Sequence, residues 1–448
     1  MPPLPGSRSP AVYDLDGLDG GAALTPDNVL DLADRVWNGE VDIDDVHPVT
    51  AMQGGLVEVA PGVAFIPTFG NVSVASTSAG LVLFDCGHSL VAAQAREQLR
   101  GWSQARVDTI VFTHGHADHV LGAGEYETEA AASGWQPPTV VAHEAVVRRF
   151  DRYRATAGYN TVINARQFQA PGISWPVDYR YPDVTYSSEL RLDLGGEVFE
   201  LHHAMGETDD HTWTWMPSRR VLFSGDLVIW ACPNAGNPQK VQRYPAEWAR
   251  ALREMAELDA EVLLPGHGFP VMGRDRVAQV LGDTAALLES LVEQTLALMN
   301  AGAALDEVVA GVRVPEELIQ KPYLRPVYDE PEYIVRNLWR FYGGWFDGHP
   351  AHLKPASEAD LAGEVVNLAG GLEPLAKRVR ELMAAGCLDL AGHLAEWLAT
   401  AHPAGGEALR LHAEVLRARA DAAESTISRG IFASAAAEAE AAVDRLTD

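Results

Sequence analysis

The stretch Thr113-His114-Gly115-His116-Ala117-Asp118-His119 constrains this chain more than any other part of it. It follows VDTIVF, an apolar run with the texture of a buried strand, so the cluster falls on a turn at a strand's end. A sharp turn there gathers His114, His116, Asp118 and His119 around one point. Imidazole and carboxylate are borderline-hard donors that suit zinc and its first-row neighbours. A lone histidine reads as a polar loop residue or a satisfied core group. Four donors within six positions read as a metal-binding turn.

Further donors stand at other strand ends. Gly206-Glu207-Thr208 follows the strand EVFELHHA, Ser224-Gly225-Asp226 closes VLF, and Pro265-Gly266-His267-Gly268 follows EVLL. Each pairs a ligand-type side chain with a small residue, where backbone turns tightly beside something bulky. His202, His203 and His211 compete with Glu207 as donors from this part of the chain. Alternation along EVFELHHA sends the adjacent His202 and His203 to opposite faces, which makes them strand-end residues or partners of the ligands.

The 448 residues suggest two or three domains, and 47% hydrophobic with 21% charged residues is the profile of a folded soluble protein. A formal net charge of −28 repels phosphate backbones and anionic membranes, so nucleic acid is excluded as a partner. Three cysteines, Cys86, Cys232 and Cys387, are too few for a disulfide framework. No apolar run is long enough to span a membrane and no signal peptide is visible, which makes a cytoplasmic location the expectation.

Residues 1–50 read as an N-terminal arm with one short helix around Thr25–Trp37. Residues 51–300 carry short β-rich runs, a helix over 89–102, a strand TVVAH with a helix after it to about Arg154, and a second β group. A helix over Pro245–Leu258, a strand and a long helix after Arg274 close this part. The pattern is α/β, with two packed sheets and helices outside. Residues 155–188 show little periodicity, and a connection of that length is functional or disordered. Residues 301–448 read as an all-α domain of helical hairpins: from Pro331 to the end the chain is mostly Ala, Leu and Glu at helical spacing, broken at Gly370-Gly371, Gly386 and Pro403–Gly406.

On these motifs the chain resembles the metallo-β-lactamase fold superfamily, an αββα sandwich. Its HxHxDH motif matches His114, His116, Asp118 and His119; its bridging aspartate matches Asp226, its last histidine His267, and its strand-ending aspartate Asp85. The superfamily's usual histidine in a GHT context is replaced by Glu207, which is similar to the alkylsulfatase branch. NLWRFYGGWFDGHPAHLKP (337–355) and the hairpins after it resemble the alkylsulfatase dimerisation domain. The chain departs from that branch in lacking a long Asn- and Thr-rich helical segment between Gly225 and Pro245. It also ends too soon for a sterol-carrier-like C-terminal domain.

The resemblance implies two divalent metal ions, zinc by default. One is held by His114, His116 and Glu207 and the other by Asp118, His119 and His267, with Asp226 between them. Three carboxylates against two dications leave a net charge of about +1, so the activated water is less acidic than in an all-histidine site. Asp118 or Asp226 orients that water. The implied substrate is a small alkyl or aryl sulfate ester with an apolar tail, cleaved at carbon or at sulfur. The helical region implies a homodimer.

A sulfate's fork of oxygens suits arginine. Arg148, Arg149, Arg152, Arg154, Arg166 and Arg180 fall in the 148–180 stretch, where basic residues on a helix ordinarily face solvent. Arg166, in a segment with neither helical nor strand polarity, is the candidate substrate contact, with Tyr159, Asn160 and Asn164 beside it. Phe168, Trp175, Tyr179 and Tyr181 either wall an apolar channel or anchor the connection on the core. Trp230 is a candidate for the pocket mouth; Trp213 and Trp215 read as packing, and Cys232 as a small pocket or core residue. Two alternatives share the metal motif: a hydrolase of lactones, thioesters or phosphate esters, and a non-hydrolytic di-iron relative. Arginines aimed at a tetrahedral anion separate the sulfate or phosphate esters from the neutral acyl substrates.

Overall fold

A computed structural model of the chain describes residues 29–47, 49 and 54–447. Seven strands form the first sheet in chain order: β1 (Val57–Ala60), β2 (Val63–Ile66), β3 (Val72–Thr77), β4 (Gly80–Phe84), β5 (Val107–Val111), β6 (Thr139–His143) and β7 (Val184–Tyr186). The first four pair antiparallel through short turns. From β4 to β7 the pairing is parallel, which requires the crossover helices Ser89–Trp102, Ala123–Ser133 and Ala145–Ala155. The second sheet runs in the order β13 (Val271–Met272), β12 (Val262–Pro265), β11 (Val221–Gly225), β10 (His211–Met216), β9 (Glu197–Ala204), β8 (Glu189–Leu194).

Period-two alternation builds the layers. On β4, Val82 and Phe84 face inward while Leu81 and Leu83 face the helices. Phe84 stacks on Phe223 of β11, ring centroids 3.7 Å apart, which joins the two sheets. Phe65, Val111, Val141, Phe199, Leu201, Met216 and Leu264 complete the inter-sheet core. Outside the first sheet, Ala95 and Leu99 of one helix and Val146 and Phe150 of another cover Leu83, Ile110 and Ala142. The expected α/β sandwich is therefore the observed one.

The chain divides into two compact units. The first comprises the sandwich, with the described residues up to Gly158 and Ser174–Trp345. The second comprises Tyr159–Ile173 and the described residues from Phe346 on. In the second, the helices Glu358–Ala369, Leu372–Ala384, Leu388–Ala401, Gly406–Ala422 and Thr426–Thr447 follow one another through turns at Gly370-Gly371, Gly386 and Pro403–Gly406. Leu375, Val379, Leu382, Leu398, Leu411 and Val415 form its core. Ala391 and Ala395 on one helix face let neighbouring helices approach closely.

The helix expected over Thr25–Trp37 is described as Val29–Trp37; the stretch before Val29 lies outside the described residues. The 155–188 connection is not structureless, because Ala157–Gln167 is a helix. Its buried positions, Asn160, Ile163, Asn164 and Gln167, have helical spacing, but amides fill three of the four, so no apolar stripe reveals it. No helix among the described residues is long and apolar enough to cross a membrane.

Candidate metal centre

The side chains of the centre come from loops at the carboxyl ends of β5, β11 and β12 and from the connection between β9 and β10. After β5 the chain passes through Thr113 and His114 into the short helix Ala117–Val120, whose N-cap is His116. Asp226 follows β11 and His267 follows β12, and these strands run parallel, so both side chains emerge at the same end. Gly266 must lack a side chain: a Cβ there would lie 1.9 Å from Asp226 Oδ1.

Ligand-type atoms of His114, His116, Glu207 and Asp226 all lie within 4.8 Å of one another, as do those of Asp118, His119 and His267. Asp226 links the two groups. Its Oδ2 is 3.5 Å from both His114 Nε2 and His267 Nε2, and its Oδ1 is 3.3 Å from His119 Nε2. His116 Nδ1 faces Glu207 Oε1 at 3.8 Å, and Asp118 Oδ2 faces His267 Nε2 at 3.4 Å. All seven side chains singled out by sequence as donors therefore meet in one place.

A surrounding layer sets which nitrogen each imidazole presents. Asp85 sits at φ 61°, in the left-handed region that few residues other than glycine adopt. Its Oδ1 accepts from the Thr113 amide (2.7 Å), and its Oδ2 accepts from Thr113 Oγ1 (2.7 Å) and meets His119 Nδ1 at 2.7 Å. The Thr113 hydroxyl hydrogen is thus committed, so the contact of His114 Nδ1 with Thr113 Oγ1 (3.0 Å) has the imidazole as donor. Both histidines are left presenting Nε2 to the centre. The Asp226 amide donates to His211 Nε2 at 3.1 Å, so this nitrogen is not a metal donor. His203 Nε2 meets the Asp209 carbonyl at 3.0 Å and His202 stacks on Trp213, whereas Glu207 lies in the donor cluster.

Electrostatics mark a place for cations. Burial, then the neighbouring positive groups, holds His114 and His116 well below the ordinary imidazole value. Burial also acts against charge on His119 and His267, yet the carboxylates of Asp226 and Asp118 win: His119 is raised well above its usual value and His267 is pushed up to about 9. Asp118 and Asp226, although buried, are held well below the usual carboxylate range, each chiefly by His119. Protons on His119 and His267 here occupy lone pairs that a cation would use. His119 Nε2 and Asp226 Oδ1, fully buried, face each other at 3.3 Å without forming a hydrogen bond, and the His/Asp/Glu donor set fits divalent metal ions.

Three residues that the sequence did not point to stand around Glu207. Arg243, 3% exposed, places Nη1 3.0 Å from Glu207 Oε1 and also donates to the Glu207 carbonyl. Its Nε is buried without a partner. Asn234 Nδ2 donates to Glu207 Oε1. Burial, followed by Arg243, pushes the Lys240 ammonium down to about 7 against the pull of Glu207 and Asp118. Burial, only partly offset by Arg243, pushes the Glu207 carboxyl up to about 8. All three lie in CPNAGNPQKVQRYP, which has no periodicity; only its location just after Asp226 could have drawn attention to it.

The other candidates are distributed as follows. Arg149 is buried against Asp210 and Asp209, and Arg180 pairs with Glu127 and Asp183. Trp175 and Tyr181 pack against the core and Tyr179 lies within it, stacked on Phe150 with centroids 4.5 Å apart, so all three anchor the connection. Arg166, Tyr159, Asn160 and Asn164 lie on the helix Ala157–Gln167; Tyr159 is exposed and the two asparagines are buried. Trp230 is buried, donates its indole N–H to the Phe269 carbonyl and packs edge-on against Trp37. Trp213 and Trp215 are buried on β10.

Comparison with known proteins agrees with this geometry. Residues 66–267 match the metallo-beta-lactamase superfamily, and residues 304–442 match the alkyl sulfatase dimerisation family. A linear primary-alkylsulfatase from Pseudomonas sp. is 28% identical over 70% of this chain and 62% of its own. An (R)-specific secondary-alkylsulfatase from Pseudomonas sp. is 27% identical over 86% of this chain and 62% of its own, and an alkyl/aryl-sulfatase from Saccharomyces cerevisiae is 23% identical over 81% and 60%. The chain thus spans about three fifths of the length of these curated relatives. The solved structure of a stereoselective inverting sec-alkylsulfatase from Pseudomonas sp. superposes with a TM-score of 0.77 at 24% identity, over 86% of this chain and 65% of that one, a likeness of fold. The chain thus pairs a region matching the metallo-β-lactamase superfamily with one matching the alkyl sulfatase dimerisation family, the combination that makes it similar to the alkylsulfatases.

Proposed function

We propose that the protein hydrolyses sulfate monoesters of alkyl, and secondarily aryl, alcohols at a pair of divalent ions, zinc in the first instance. His114, His116 and Glu207 hold one ion, Asp118, His119 and His267 hold the other, and Asp226 stands between them. When bound, such a pair polarises an ester oxygen and supplies hydroxide near neutral pH. The chain's own residues do the rest. Asp118, whose side chain is 18% exposed against 4% for Asp226, is the carboxylate open to an entering water and orients it; Asp226 holds the two donor groups together. Arg243 and Lys240 offset the charge of the sulfate head group beside Glu207.

The observation that carries this reading is Arg243: a buried guanidinium next to the Glu207 carboxylate, with Nε unpartnered, is a built receptor for an anion. A neutral lactone or thioester offers the unpartnered Nε of that guanidinium no anionic oxygen. The helical region from Phe346 on is proposed to pair two copies of the chain, as the matched dimerisation family suggests.

The test is a panel of dodecyl sulfate, aryl sulfates, phosphate esters and lactones, with bound metal measured on the same preparation. Sulfate release that is lost in both His116→Ala and Arg243→Ala supports the proposal. Turnover confined to lactones or thioesters rejects the sulfatase part. Arg166→Ala, with Tyr159, Asn160 and Asn164 variants beside it, separates a head-group contact on the helix Ala157–Gln167 from one at Arg243.

A further inference from the structure

The loop between Asp226 and the helix Pro245–Ala256 has no regular structure, yet it carries Asn234, Lys240 and Arg243 to Glu207. Contacts along one arm of the chain, from Arg325 to Phe341, fasten it. The Cys232 amide donates to the Arg325 carbonyl (2.8 Å), and the Gly236 amide donates to Asp329 Oδ2 (2.7 Å). Gly236 lies flat on the start of the helix Pro331–Gly343, where a Cβ would come 2.2 Å from the Ile334 amide nitrogen. One turn further along that helix, Asn337 grips the loop's far end. Its Nδ2 donates to the Arg243 carbonyl (3.1 Å), and its Oδ1 accepts from Gln242 Nε2 (3.0 Å). Phe341, four residues on, meets the Tyr244 ring edge-on, centroids 5.9 Å apart.

We infer that Asn337 is a positioning residue for substrate anion binding: it clamps the Arg243 main chain and the Gln242 side chain so that the Arg243 guanidinium faces Glu207. Asn337 is 5% exposed and its amide bonds are made to this loop and its own helix, so they serve no other element. Arg243 alone has a side chain that spans from that clamp to the Glu207 carboxylate. Asn337 belongs to the stretch that matches the dimerisation family, so part of that stretch builds the catalytic unit. The inference rests on the proposed role of Arg243 as an anion receptor.

The experiment uses Asn337→Ala, Asn337→Asp and Arg243→Ala in the full-length, metal-loaded protein. Asn337→Ala is expected to leave metal content unchanged and to lower kcat/KM for dodecyl sulfate by about tenfold or more, mainly through KM. Asn337→Asp keeps the acceptor and loses the donor to Arg243, so it is expected to fall between. Because the clamp acts through Arg243, the double variant Asn337→Ala/Arg243→Ala is expected to be no worse than Arg243→Ala alone. Amide hydrogen exchange is expected to quicken at Gly236, Arg243 and Tyr244 and to stay unchanged at residues 113–120. Additive losses in the double variant, unchanged exchange in the loop, or loss of metal overturns the inference. A wild type that cleaves no sulfate ester rejects the proposed function instead, and the exchange measurement still decides whether Asn337 holds the loop.

Discussion

Asp85 Oδ2 stands 2.7 Å from His119 Nδ1, while Asp85 Oδ1 and Oδ2 together take both the amide and the hydroxyl of Thr113. One carboxylate thus fixes the ring of a ligand from the metal-binding turn and the point where that turn leaves β5. Asp85→Asn removes an acceptor from one of these donors. It is expected to weaken metal affinity roughly 10- to 100-fold, the usual effect of losing a ligand's hydrogen-bonding partner. Competition with a chelator of known affinity measures it. An unchanged affinity means that packing alone orients His119.

Arg149 and Asp210 form a buried pair under the same turn. Arg149 Nε donates to Asp210 Oδ2 at 2.6 Å, and that oxygen also accepts the Gly115 amide at 3.1 Å. Arg149→Ala leaves a buried carboxylate with one amide in place of a guanidinium. The expected loss of stability is roughly 3–5 kcal/mol, the range for stripping one partner from a buried ion pair. Denaturant unfolding of the metal-loaded protein reads it directly. A loss below about 1 kcal/mol would place the pair with solvent-screened surface bridges instead.

Lys240 supplies a pH signature. Its ammonium is pushed down to about 7 by burial and by Arg243, so the positive charge is present below that pH and lost above it. The kcat/KM for an anionic ester is expected to decline as pH rises through about 7. Lys240→Arg keeps the charge at all working pH values and is expected to flatten that limb. A limb that persists unaltered in Lys240→Arg assigns it to another group.

Metal removal changes the sign of the centre's response to pH. Without metal, His267 is raised from 6.5 to about 9 and His119 is raised as well, mainly by Asp226. A histidine whose folded value is raised stabilises the fold fully below its unfolded value and loses that contribution as pH rises through the folded value. The metal-stripped protein is therefore expected to lose stability from about pH 6.5 toward pH 9, the window set by His267. Metal binding displaces these protons, so affinity is expected to rise over the same window. Melting temperatures of stripped and loaded protein across this range should diverge with pH; parallel curves would count against proton–metal competition. Calorimetry in buffers of different ionisation enthalpy gives the number of protons released.

The one-dimensional pattern determined the sandwich, the hairpin array and the seven side chains that converge, because each was written locally: alternation along strands, and His, Asp or Glu beside Gly at strand ends. Glu207 is set apart from His202, His203 and His211 by the alkylsulfatase resemblance, and from the first two also by alternation. The helix Ala157–Gln167 escaped notice because amides occupy its buried face. Arg243, Lys240 and Asn234 were illegible for a different reason: their loop has no period, and what brings them to Glu207 is a clamp formed by Asp329 and Asn337 about ninety residues away. Likewise Arg149 resembles any other helix arginine until Asp210 is seen to bury it. Local sequence specifies which donors face a common point; long-range hydrogen bonds between segments that share no periodicity specify which charges surround it, and only the folded chain brings those together.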